Sequence, residues 1–209
     1  MKRTVGIVVV IAAAFPVTGC LHMENTHRLY LTPRGDLSWT VQQSDVRSDA
    51  QQADGRLDEE RQFLAEVQRG AHPVALAFHQ LGARRVQTEL VRPIRPFALL
   101  TTGDLGAVDE AANTFLKALN LGGEGALTRH DGKTTLTLTV RVADGDQEYD
   151  GPLTALLEDL PQYRVVLTEG RFVAAEGFAI SADGAVATPQ DWADSLETAV
   201  FRVSLTWVE

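Results

Sequence analysis

The side chains with most chemistry in this sequence are a single thiol, a run of oxygen donors, five imidazoles and a cluster of guanidinium groups. Cys20 is the sole cysteine, so no disulfide can form within the chain, and its thiol is available for conversion to a thioether. Asp144, Asp146, Glu148 and Asp150 alternate along DGDQEYD, a spacing at which carboxylate and carbonyl oxygens can converge on a hard cation such as Ca²⁺. Set against the EF-hand pattern, Tyr149 stands where the turn glycine belongs and Ala155 where the bidentate glutamate belongs. The run is therefore expected to be a solvated loop leading into a helix at Pro152, and no metal is assigned. Arg84, Arg85, Arg92 and Arg95 form the one basic concentration, offset locally only by Glu89. Such a group could meet an anionic partner or lipid headgroups; with Pro93 and Pro96 alongside, the favoured reading is an edge strand protected from pairing with other molecules.

His22, His27, His72, His79 and His130 contain no HExxH and no pair at metal-ligand spacing with a nearby acid. There is no GxSxG, no P-loop and no GxGxxG opening a helix; Gly122-Gly123-Glu124-Gly125 reads as a helix stop and hinge. Ser38, Ser44, Ser48, Ser181, Ser195 and Ser204 leave open a triad assembled only in space, because such a site is defined by geometry and not by chain position. Trp39, Trp192 and Trp207 are expected in the core. No cofactor is implied.

The thiol acquires meaning from the elements around it. Met1-Lys2-Arg3 is basic and Val5 to Phe15 is apolar, the order of a secretory signal. A spanning helix needs about 20 apolar residues, so this stretch is too short for a permanent anchor. The next residues, Val17-Thr18-Gly19-Cys20, resemble the lipobox of bacterial lipoprotein precursors. That resemblance implies that residues 1–19 are a signal peptide that is cut away, and that Cys20 carries a diacylglyceryl thioether, with acyl chains such as palmitate as the anchor. Leu21, standing where an aspartate would direct retention, implies the outer membrane, facing the periplasm. Residues 20–26 then form the lipidated cysteine and a short tether of at most roughly 25 Å, and 27–209 one domain, possible as two lobes. The hairpin expected at Arg28–Val41, just after the cysteine, resembles LppM-like bacterial lipoproteins over that stretch alone and implies no activity.

The 209 residues carry 28 acids against 19 lysines and arginines, for a formal charge of −9. Loss of residues 1–19 removes Lys2 and Arg3 and no acid, lowering it by two to −11. A surface of this sign repels phosphate backbones, so nucleic acid is not an expected partner.

Period-two alternation predicts a hairpin around Pro33-Arg34-Gly35-Asp36, one or two strands over 84–101 interrupted by Pro93 and Pro96, a hairpin around Asp131-Gly132, strands near 163–167, 171–180 and 185–187, and a last strand over 201–207. Helical spacing predicts helices from about Asp58 to Gly70, from Pro73 to Gly82, over 105–119, from Pro152 to Leu160, and from Thr188-Pro189 through Leu196. Residues 44–54 read as loop. The sum is an α+β fold: antiparallel sheet built from hairpins, packed by several short helices. The expected function is a lipid-anchored, non-enzymatic binding or assembly role toward an envelope protein, lipid or glycan. The alternative is an exported hydrolase.

Overall fold

The computed structural model describes residues 21–141, 151–157, 163–190 and 200–209. Two sheets organise them. The seven-stranded sheet has the order β3-β4-β2-β1-β7-β10-β9 and the four-stranded sheet β5-β6-β11-β8. The strands are β1 (Leu21–Leu31), β2 (Asp36–Ser48), β3 (Arg85–Arg92), β4 (Phe97–Ala107), β5 (Gly122–His130), β6 (Lys133–Arg141), β7 (Tyr163–Leu167), β8 (Arg171–Glu176), β9 (Phe178–Ile180), β10 (Val186–Pro189) and β11 (Val200–Val208). The helices are α1 (Ala53–Gln68), α2 (Pro73–Gln80), α3 (Val108–Ala118) and the single turn α4 (Thr154–Leu157). The chain is thus mostly β with few helices, and its sheets are largely antiparallel; β1 and β7 pair in parallel.

The β1–β2 hairpin closes where the sequence places it. The Thr32 carbonyl receives Gly35 N–H at 2.9 Å and Thr32 N–H reaches the Asp36 carbonyl at 2.9 Å, with Gly35 at φ +87°. Both strands run further than expected. Leu21 already pairs with Ser48, so residues 21–26 are strand and not tether, and most of the polar segment 44–54 belongs to β2 and α1. Lack of apolar period hid this, because the outer part of the hairpin is held by backbone bonds and carries Asp45 in a left-handed conformation, φ 55°.

α3 lies against β4, β5 and β6, with Asp109 and Glu110 in its first turn, where acids favour a helix N-terminus. Its Asn113 amide brackets the Gly125 peptide, donating to the carbonyl and accepting from the N–H at 2.9 Å each. A Cβ at Gly125 would come within 2.8 Å of the Ala112 Cβ, so glycine is what lets helix and strand approach. Gly122–Gly125 is consequently strand, not the expected helix stop and hinge. α2 seats the Phe78 ring over Gly103, where a Cβ would lie 2.7 Å from the ring. Segment 171–180 breaks into β8 and β9 at Gly177, φ 75°. Thr188 and Pro189, read as a helix start, instead close β10, with Pro189 opposite Phe178.

The main core gathers both sheets, α2, α3 and α4, with Leu31, Phe78, Leu153, Leu156 and Trp207 fully buried. A smaller cluster of Val46, Phe63 and Leu99 lies beneath α1.

Candidate functional site

Between the sheets, on the inner face of α3, lies an apolar cavity of about 180 Å³. Leu31 and Trp39 face it from the larger sheet, Val108 and Phe115 from α3, and Leu136 and Leu205 from the smaller sheet. The space has a local cause. Sheets stacked face to face sit about 10 Å apart, α3 is wedged beside them, and two of its cavity-facing residues are Ala111 and Ala112, too small to fill the gap. The alternating TLTLTV of β6 sends Leu136 and Leu138 into the cavity, while on the other face Thr135 meets Thr206, Oγ1 to Oγ1, at 2.9 Å. Leu29, Phe115, Leu136, Leu138, Val165 and Phe178 are only half-buried, as walls of a cavity open to the surface.

Among the described residues no histidine, acid, lysine or arginine lines this space; Ser204 borders it by its main chain, since its side chain shares the outer face of β11 with Thr206. The polar edge of the Trp39 indole is engaged elsewhere, its Nε1–H donating to His27 Nδ1 at 3.3 Å. His27 is completely buried and stacks on the Tyr163 ring at 4.4 Å. Such a cavity can hold a hydrocarbon group by contact and water exclusion, and offers no acid–base pair to react with it.

Cys20 and the run Asp144, Asp146, Glu148 and Asp150 lie outside the described residues, as do Ser195 and Trp192. The four arginines do not form one patch. Arg84 folds its guanidinium over Gly106, where a Cβ would lie 2.4 Å from Nη2. Arg85 begins β3 and Arg92 ends it, which separates them by roughly 23 Å at the usual strand rise. Arg95 Nη2 binds the buried Glu60 Oε1 at 2.7 Å. β3 is an edge strand of its sheet, with charged side chains at Arg85, Glu89 and Arg92.

A β-bulge between His22 and Glu24, facing the left-handed Asp45, brings these three together with ligand atoms within 4.8 Å; sequence spacing could not show this. The group is largely exposed, and Arg47 already pairs with Asp45 at 3.1 Å. His72 is fully buried beneath α1; its Nε2 lies 2.9 Å from Thr88 Oγ1, which in turn is 3.3 Å from Thr101 Oγ1. Burial pushes its pKa down to about 4, against a weaker opposite pull from Glu66. Among the described residues no carboxylate reaches Nδ1, so the imidazole–hydroxyl pair lacks the third member of a triad. Ser48 gives its hydroxyl to Glu59, and Ser181 its hydroxyl to Asp183 at 2.6 Å. That bond, with the Ala185 N–H, holds the Asp183 carboxyl below its usual range.

Among the described residues no helix is long and apolar enough to cross a membrane. No protein-family model and no curated protein matches the chain. Among solved structures it is similar to the NMR structure of the folded domain of LppM from Mycobacterium tuberculosis, at a TM-score of 0.37 and 8% identity, over 93% of this chain and 94% of that one.

Proposed function

We propose that the chain is an exported protein of the bacterial envelope, held by acyl chains on Cys20 at the outer membrane facing the periplasm, whose body accommodates a single apolar group such as part of an acyl chain, without turnover. The observation that supports this reading is the cavity and its nearly pure hydrocarbon lining. An enclosed apolar cavity of about 150 Å³ takes up small apolar molecules, and this one, open at one side, is of comparable volume. A hydrolase reading finds no support in the cavity, whose lining among the described residues includes no histidine, acid, lysine or arginine.

The test is binding of a fluorescent apolar probe, phenylnaphthylamine, to the purified chain. Filling the cavity from α3 with Ala111→Phe or Ala111→Leu is expected to weaken binding tenfold or more, about 1.4 kcal/mol, with unchanged circular dichroism. Wild-type affinity in two folded variants would show that the probe binds elsewhere.

The anchor is tested separately. Cys20→Ala is expected to move the protein from the membrane fraction to the soluble fraction, because stable attachment needs two or more chains and nothing else in this reading supplies them. A variant that stays fully membrane-bound would refute lipid anchoring.

A further inference from the structure

Seven large apolar side chains are exposed among the described residues, and three of them, Leu90, Val91 and Ile94, fall within one stretch at the β3–β4 connection. Ile94 is the most exposed, at 73%. The registers fix where this tip lies. Leu21 pairs with Ser48, Val46 with Phe97, and Ala98 with Arg92. The start of β1, the end of β2 and the 93–96 connection therefore share one end of the larger sheet. Since β1 begins at Leu21, Cys20 is one residue from this end, with no tether between.

The tip is also held in place. Arg95 binds Glu60, 3% exposed, and the same Glu60 oxygen accepts the Ser48 N–H at 3.0 Å. Connection, helix α1 and the end of β2 are thus joined through one carboxylate. With Arg95 so answered, what the tip presents outward is apolar, with Arg92 beside it. That is the composition of an interfacial insertion, in which apolar side chains enter the headgroup and acyl boundary while a neighbouring cation stays at phosphate level.

The geometry points to the 90–95 tip as a membrane-docking element: Ile94, with Val91, seats in the phospholipid bilayer that holds Cys20, so that the body stands on the membrane by this end. The inference rests on the lipid-anchor reading, from which it takes the bilayer as the occupant. It adds an orientation that acylation alone does not provide.

The experiment uses the full chain, processed in a bacterial host and reconstituted into phosphatidylcholine vesicles. With Cys20 acylated, the cysteine of Ile94→Cys is the sole free thiol and takes a polarity-sensitive fluorophore. His130→Cys is the control. Its side chain is 89% exposed, and Arg129 Nη2 bonds the Arg34 carbonyl at 2.6 Å, which places that turn beside the β1–β2 turn at the opposite end. The label at 94 is expected to shift to the blue and to lose emission when the lipid chains carry bromine; the label at 130 is expected to do neither. A label at 94 that stays in water on vesicle-bound, acylated protein overturns the docking and leaves the anchor standing. Shielding at 94 without bromolipid quenching assigns the tip to a protein contact and also overturns it. Mass spectrometry showing an unmodified Cys20 removes the anchor reading and this inference together.

Discussion

Trp207→Ala is expected to destabilise the fold by about 3–5 kcal/mol, the range for removing a large buried aromatic side chain. Trp207 is fully buried in β11 and meets Phe172 edge-on at 6.3 Å. Its indole N–H donates to the Pro33 carbonyl in the β1–β2 turn at 3.0 Å, so one side chain of the smaller sheet fastens the turn of the larger. Trp207→Phe separates the two contributions. It retains an aromatic ring and loses the donor, and an unpaired carbonyl costs about 1–3 kcal/mol. Urea unfolding of the Cys20→Ala chain measures both. A loss under about 1 kcal/mol for the alanine variant would mean that the sheets are held together elsewhere.

The second large effect is a fall in stability on acidification, centred on His72. Burial holds its folded pKa at about 4, against 6.5 for the free side chain. Between these values the unfolded chain binds a proton that the folded chain does not, so the contribution is complete above pH 6.5 and is lost as pH falls toward 4. At one unit per 1.36 kcal/mol, the loss attributable to this residue reaches about 3 kcal/mol. His72→Gln cannot titrate and can still bond Thr88. Its unfolding free energy is expected to vary less with pH across that window than the wild type's. Parallel pH profiles for the two proteins would show that His72 is not the group responsible.

What was legible in the sequence divides along physical lines. Strands whose side chains alternate between a core and a polar face declared themselves: Leu136, Leu138 and Val140 against threonines, and Phe201 to Trp207 at the end of the chain. α2 was equally plain, with Pro73 at its start and Val74, Ala77 and Phe78 buried. Residues 44–48 gave no signal, because Val46 is the one apolar side chain among them and shows no period, while the strand is carried by main-chain pairing with β1 and β4. Pro189 misled because a proline after threonine suits a helix start as well as a strand end.

The cavity was illegible for a different reason. Each lining residue is an ordinary core residue in its own element, and Trp39 reads the same whether it packs solidly or borders a void. A space depends on small residues such as Ala111 lying opposite others remote in the chain. The four arginines looked like one patch because sequence proximity ignores strand length: the two ends of β3 lie far apart, and Glu60, which occupies Arg95, comes from another element.

The parallel pairing of β1 with β7 has a consequence for biogenesis. The main-chain N–H of Thr168 bonds the Leu31 carbonyl at 2.9 Å, and the Thr168 hydroxyl reaches the same oxygen across 137 residues of sequence. Loop-closure entropy must be met before such remote contacts repay it, which slows folding. A chain threaded across a membrane from its amino end would have β1 and β2 outside long before β7 emerged, leaving one edge of β1 without its neighbour. For that interval the nascent hairpin is open to the wrong strand, so, on the proposed export of this chain, a chaperone that shields β-edges is expected to raise its yield more than that of a protein built from local hairpins.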